Sequence, residues 1–450
     1  MGAQKNTLQT TVIPPAGKPT TLQFLFDLDS QSFTTQNDDK KTQIFEQLLS
    51  IILYCTNHHS NDQESSLKKL KLTQLLSIIK TSKTLISDQT LKFLFNMLSS
   101  NLFRPLPPLP SSSTVSLISP DDDDCIANAP SSAAAWAHLQ TVYDILLRLI
   151  IKNDAKSLGN EHFVSQSFVN NLLVLFQSGD PRERDAVKNV VHRIYAKFTF
   201  YRSFMRKAMT DVLLDYVYES DEYHHRRNGI GEMLEIWGSI INGFTVPLKE
   251  EHKVFLSRVL VPLHKVKNMQ VYHRQLAYCV TEFVKKEAEM GGIVIGKILR
   301  YWPVSNCEKE VLWIGELEEI VENMDCGQFL NLGFPLWIRI TKCIKSSNSQ
   351  VAERALYVWN NEPFLKVVSQ ELDKVFPILV EAIEKNLMWH WNKNVRELTQ
   401  NVKTLLEDLE PALYRKCLEM IEIHKLTTRI DENTRRKRWE RIETITRAKN

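Results

Sequence analysis

Glycine is scarce in this chain, 14 of 450 residues, or about 3% against a usual share of about 7%. Sandwiches and barrels need many turns with positive φ, and doubly wound α/β sheets need glycine-rich phosphate turns, so both start at a disadvantage. Seven cysteines (Cys55, Cys125, Cys279, Cys307, Cys326, Cys343, Cys417) never form a C-x-x-C pair. That removes the spacing of disulfide frameworks and zinc sites and points to a reducing, intracellular compartment. No apolar run approaches the ~18 residues of a membrane-spanning helix; Leu48–Cys55 is among the longest, and Ser50 interrupts it. Charge of one sign is lacking too. The 56 Lys and Arg face 53 Asp and Glu, a net +3, too balanced for a chain-wide nucleic-acid surface. Met1–Asn6 lacks the charged-then-apolar profile of a secretory signal, and Asn6 stands where a myristoylation signal carries Ser or Thr.

Signatures of catalysis are equally sparse. Gly291–Lys297 has the spacing G-x-x-x-x-G-K, but Ile298 follows where Ser or Thr would hold Mg²⁺. The stretch reads as a helix start. There is no H-E-x-x-H and no G-x-S-x-G. His58-His59 and His224-His225 are adjacent pairs, which point to different sides of a helix and cannot chelate as i, i+4 pairs do. Glu316, Glu318, Glu319 and Glu322 read as a solvated helix face. No metal, cofactor or catalytic residue is expected, and a binding surface is what remains.

Helical periodicity is what the chain has in quantity. Ile44, Leu48, Ile51 and Ile52 fall at i, i+4, i+7 and i+8. Further helices are expected near Leu67–Ile79, Asp88–Leu98 and Ala133–Ile151. Residues 1–20 read as disordered. Between about 104 and 134, the run Arg104–Pro110, a serine stretch and Asp121–Asp124 read as an exposed linker, since proline stops helices and adjacent carboxylates repel. Helical openings then recur at Leu276, Val311, Ala355 and Leu398, at intervals of 35, 44 and 43 residues. Amphipathic pairs at that spacing fit an all-α, curved solenoid of HEAT-like antiparallel helix pairs, spanning about 21–424. Residues 425–450 form a basic tail with nine Lys/Arg and four acids. Arg435–Arg438 reads as a solvated helix end or frayed terminus, with a nuclear-localisation or anion patch as the alternative.

One region combines an apolar and a polar stripe. Val187, Val190, Val191, Ile194 and Phe198 define a buried face, with Lys188, His192 and Tyr195 beside it, Arg193 near and Arg202 just beyond. The next helix, about Gly231–Ile241, is apolar nearly all round and must bury two faces. Pro247-Leu-Lys-Glu-Glu-His252 opens a third helix. Side by side, these would offer apolar pockets, with Arg202, Lys249, His252 and a helix N-terminus as a carboxylate seat.

The same residues carry a resemblance. Asp180–Asp185 with His192–Phe198, Leu234–Phe244, Pro247–His252, Pro262–Val266, Tyr272–Tyr278, Gln350–Leu356 and Trp359–Glu362 closely resemble the B-prime family of regulatory subunits of protein phosphatase 2A. So do Asn101–Pro108 and Ala135–Gln140, and the likeness spans about 40–440. Ser220–Arg227 looks longer than the family loop, and 104–134 diverges. The resemblance implies a curved stack of HEAT-like repeats without catalysis of its own. Such a chain joins a scaffold and a catalytic subunit and selects phosphoproteins through segments of the form Leu-x-x-Ile-x-Glu. Carried over, that groove is His192, Arg193, Tyr195, Arg202, Glu235, Ile236, Ile240, Lys249 and His252. Tyr195 and His192 would take the leucine, Ile236 and Ile240 the isoleucine, and Arg202, Lys249 and His252 the glutamate. A cytoplasmic location follows as an expectation, with the nucleus open to it as well; nucleic acid and a membrane span are not expected. A HEAT-type transport or scaffolding adaptor unrelated to phosphatase is the alternative, since fold alone does not choose.

Overall fold

A computed structural model of the 450-residue chain describes residues 46–57, 62–81, 87–106, 130–160, 163–218, 228–324, 333–368 and 372–447. Every regular element among them is a helix. The 1–20 segment, both histidine pairs and the 220–227 loop lie outside the described residues.

The chain divides into two compact units. The first holds α1 (residues 46–56), α2 (Asp62–Thr81), α3 (Asp88–Leu102), α4 (Pro130–Lys152, from Ala137 onward) and α5 (Ala155–Asn160). Ser87 starts α3 by accepting the Thr90 backbone N–H. Buried Asn101 joins three helices: its amide donates to the Cys55 carbonyl at 3.0 Å, and its oxygen lies 3.1 Å from His138 Nε2. The expected 104–134 linker is shorter at its far end, because α4 already begins at Pro130. Proline is suited to a first helical turn, where its missing N–H would have had no partner.

The second unit holds α6 (Gln166–Val174), α7 (Pro181–Lys197), α8 (Arg202–Tyr218), α9 (Ile230–Asn242) and α10 (Glu250–Phe255, continued by a π-helical turn at Leu256–Leu260 and a last turn to Leu263). Then follow α11 (His273–Lys286), α12 (Glu289–Arg300), α13 (Cys307–Glu322), α14 (Gly333–Ile344) and α15 (Ser349–Tyr357). The last four are α16 (Glu362–Val368), α17 (Leu372–Trp389), α18 (Lys393–Leu409) and α19 (Pro411–Arg447). They stack as a helical solenoid in two layers. One runs α7, α9, α11, α13, α15, α18, and the other α8, α10, α12, α14, α17, α19, each helix touching the next in its own layer. The recurring marks at Leu276, Val311, Ala355 and Leu398 fall on four successive helices of the first layer. Asp180, Asn306, Asn348 and Asn392 cap α7, α13, α15 and α18 by accepting backbone N–H groups of the first turn. Gly291–Lys297 lies inside α12.

The basic tail is not a separate element. α19 runs unbroken through 424 and 425 for 37 residues, a length of about 55 Å. Its start is anchored by buried Tyr414 and Cys417, while its described side chains from His424 on are exposed.

The carboxylate cluster on α13 also departs from expectation. Glu316 is buried, with His264 Nε2 at 2.9 Å from one oxygen and His273 Nε2 at 2.8 Å from the other. His264 Nδ1 faces only the carbonyl oxygens of Leu260 and Val261, at 3.1 and 3.0 Å. Carbonyls only accept, so Nδ1 carries a proton, and Nε2 shares a second with Glu316. Burial alone would lower His264, but the charge and hydrogen bond of Glu316 outweigh it and raise its pKa. Burial would likewise raise Glu316, yet the two histidines, His264 foremost, bring it down to about 2. His264 therefore stabilises the fold fully below its ordinary 6.5, and this is lost as pH rises through the raised value. The Glu316 contribution is present above its ordinary 4.5 and is lost as pH falls toward 2. Glu316→Gln is expected to cost about 3–5 kcal/mol, the usual effect of stranding one partner of a buried pair. In circular-dichroism melts, the gap to the wild type should be widest between pH 4.5 and 6.5 and should narrow at alkaline pH.

Candidate functional site

The nine residues singled out from the sequence lie on α7, α9 and the opening turns of α8 and α10, all within the second unit. Val187, Val190, Val191, Ile194 and Phe198 are buried as their spacing requires, which turns the polar stripe of α7 toward α9. Three cross-links follow in register. Arg184 Nε meets Glu232 at 2.6 Å, Lys188 Nζ meets Glu235 at 2.7 Å, and His192 Nε2 lies 3.0 Å from Ser239 Oγ. Gln275 Nε2 on α11 reaches Glu235 at 3.3 Å, extending the ladder by one helix. Burial works against the Lys188 charge, but the hydrogen bonds it donates to Asp185 and Glu235 outweigh that and raise its pKa. Lys188 is thus neutralised within the chain, whereas Arg193 is exposed.

The C-terminus of α7 explains where Arg202 sits. Its guanidinium donates to the last-turn carbonyls of Tyr195 (3.2 Å) and Ala196 (3.1 Å) and lies 5.5 Å over the Tyr195 ring. Arg202 therefore caps a helix that would otherwise end on unpaired carbonyls. One turn further along α8, Arg206 Nη1 donates to the Tyr195 hydroxyl at 3.3 Å, and its Nη2 lies 3.9 Å from Glu251.

Helix α9 supplies the floor. Ile236 and Ile240 are 1% and 5% exposed, so they form a base beneath the side chains above rather than an open slot. Trp237 stacks on Phe255 of α10 with ring centres 3.9 Å apart. Gly238 lets α11 approach, since a Cβ there would fall 2.7 Å from the Tyr278 ring. Apolar on nearly every side, α9 is covered by α10 and α11, which is why its sequence shows so little polarity.

The cationic end forms where α9 hands over to α10. Lys249 is the N-cap residue of α10, with its side chain in solvent. His252 is buried, stacked flat on Phe244 at 3.6 Å, with Nε2 3.4 Å from Glu251 and Nδ1 buried without a hydrogen-bond partner. Burial, ahead of the nearby charges, lowers its pKa. Glu287 fixes the α9–α10 connection by accepting from Leu248 N and pairing with Lys253 at 2.8 Å. Arg206 and His252 thus both approach the Glu251 carboxylate, with exposed Lys249 two residues before it at the start of the same helix. Sequence reading missed Arg206 and Glu251. The one signal was Arg206 lying four residues after Arg202, hence on the same helix face. None of the nine residues lines the open cavity of about 560 Å³ between α13 and α15, whose walls include Glu308, Val311, Leu312 and Tyr357.

The family model for the protein phosphatase 2A regulatory B subunit (B56 family) matches residues 30–446. The chain belongs to the B56 family. It is 39% identical over 388 residues to the B' alpha isoform of the 57 kDa protein phosphatase 2A regulatory subunit of Arabidopsis thaliana, covering 86% of this chain and 77% of that one. It is 41% identical over 355 residues to the B' epsilon isoform of the same plant, covering 79% and 70%. To the delta isoform of the 56 kDa regulatory subunit of Oryctolagus cuniculus it is 38% identical over 414 residues, covering 92% and 69%. These B56 relatives are named as regulatory subunits, a non-catalytic role. Among the described residues, no helix is long and apolar enough to cross a membrane, and no group of three or more His, Cys, Asp or Glu could hold a metal ion.

Gly229 starts the floor helix of this B56 chain in a left-handed conformation, φ 83°, and a Cβ there would fall 2.4 Å from the Phe176 carbonyl oxygen. Backbone cannot move aside as a side-chain tip can. Gly229→Ala is expected to cost at least about 1–2 kcal/mol, from the positive φ and the contact together. A lowered thermal midpoint with helical content kept at 20 °C would be the readout.

Proposed function

We propose that this B56-family chain is the substrate-selecting subunit of a protein phosphatase 2A heterotrimer, joining a scaffold and a catalytic chain. In this reading its groove grips Leu-x-x-Ile-x-Glu segments of phosphoproteins and holds them near the catalytic centre. What carries the reading is that residues scattered over 61 positions, His192 to His252, converge on adjacent helices joined by the α7–α9 cross-links. Tyr195 and His192 would border the leucine, with Ile236 and Ile240 beneath the isoleucine. Lys249 and His252, with Arg206 added and Arg202 alongside, would hold the glutamate. A phosphate beside the motif would meet exposed Arg193 rather than Lys188, whose charge Glu235 and Asp185 already balance.

Micromolar docking corresponds to about −8 kcal/mol. Two buried aliphatic side chains at about 1.5–3 kcal/mol each and charge-assisted hydrogen bonds at about 1.5–3 kcal/mol each supply interactions of that order. Tethering then acts through effective concentrations of order mM. The proposed location is the cytoplasm, with Arg435–Arg438 as the segment that would admit the complex to the nucleus.

Two measurements test this. Purified from cells through a tag, the chain should bring down phosphatase scaffold and catalytic chains in near-equal amounts; their absence would favour an unrelated adaptor. Lys249→Glu should weaken a Leu-x-x-Ile-x-Glu peptide at least ten-fold by calorimetry while leaving that co-purification intact. Lys249 suits the experiment better than Arg202, whose replacement would also uncap α7.

A further inference from the structure

The cationic end of the groove already has an acidic occupant. Glu251 Oε1 lies 3.4 Å from His252 Nε2 and 3.9 Å from Arg206 Nη2, and its side chain is 59% exposed. Neither distance is that of a tight ion pair, and both exceed a good charge-assisted hydrogen bond of about 2.7–2.9 Å. The carboxylate therefore rests beside the Arg206 guanidinium and the His252 imidazole while remaining free to swing into solvent. Its neighbours differ in this respect. Glu235 is bonded to Lys188 and Gln275, Glu232 to Arg184, and Glu287 to Lys253 and Leu248 N. Arg206, by contrast, is oriented from α8 by the Tyr195 hydroxyl, and His252 is held by its stack on Phe244. The receiving groups are fixed and the acidic one is loose.

We propose that Glu251 is a built-in stand-in for the client's glutamate, a carboxylate that an incoming segment must displace from Arg206 and His252. This rests on the groove reading given under Proposed function and adds a selection step to it. A segment whose apolar residues do not dock gains little from its acid alone, because that acid merely replaces an internal one. A segment that also buries its leucine and isoleucine has free energy left over to complete the exchange. Glu251 thereby sets a threshold against merely acidic chains, which any cationic patch would otherwise collect without discrimination.

The test is a double-mutant cycle by calorimetry on the full chain at about 50 mM salt, where exposed charges are least screened. The probes are a Leu-x-x-Ile-x-Glu peptide and its Leu-x-x-Ile-x-Gln counterpart. Glu251→Gln is expected to tighten the glutamate peptide about three- to five-fold, the scale of an exposed ion pair, and to leave the glutamine peptide unchanged. Equal affinity of the variant and the wild type for the glutamate peptide would overturn the proposal. So would weaker binding by the variant, which would make Glu251 an orienting partner of His252. A wild-type chain that binds neither peptide would overturn the groove reading itself, and this proposal with it; normal wild-type binding with no gain in Glu251→Gln removes the stand-in alone. The substitution is isosteric at an exposed position, so helicity measured alongside should match the wild type.

Discussion

The second unit depends on one constraint: an amphipathic helix cannot leave its apolar face in water, so each covers the next of its layer. α9 shows the demand at its strongest. With Ile230, Met233, Leu234, Ile236, Trp237, Ile240 and Ile241 all buried, it exists as a helix only because α7, α10 and α11 enclose it. Burial of each such side chain contributes about 1.5–3 kcal/mol, far beyond what helix propensity supplies. The stacking then dictates where polar groups go. Lys188, His192, Glu232, Glu235 and Ser239 remain on the rim because the other faces of their helices are occupied.

On that rim, charge is mostly balanced inside the chain. Lys188, Arg184 and Lys253 have carboxylate partners within 2.8 Å, and Arg202 is engaged by backbone carbonyls. This rim is therefore not a generic cationic surface, in keeping with the near-neutral whole chain. Among these described rim residues, Arg206 and His252 meet only Glu251 as a carboxylate, at 3.9 and 3.4 Å. The same economy appears deeper in the unit, where Glu316 with His264 and His273 ties together α10, α11 and α13. Charge buried in this way resists mispairing, because a shifted helix would leave an ion without its partner.

Much of this was legible beforehand. Scarce glycine, recurring helical openings and the i, i+3, i+4 spacing of Val187, Val190, Val191 and Ile194 led to a helical stack with the correct face of α7 turned inward. The rest was less visible for physical reasons. Glu316 sits in a row of glutamates, and the approach of two histidines, 43 and 52 positions away, sets it apart from exposed Glu319 and Glu322, while part-buried Glu318 pairs with Arg354 and Asn361. The basic tail read as a solvated helix end or a frayed terminus, and a helix does continue through it; composition could not choose, since charged side chains suit a solvated helix as well as a coil.

What the sequence determined alone is periodicity: which residues share a helix face, and that those faces need covering. It also carried enough ordered motifs to identify the B56 family. Tertiary packing decided the identity of each partner. Arg202 became a cap, Arg206 and Glu251 entered the cationic corner, and Ile236 and Ile240 became floor rather than wall. Those outcomes depend on contacts between separate helices, and one-dimensional spacing carries no information about which helix lies opposite.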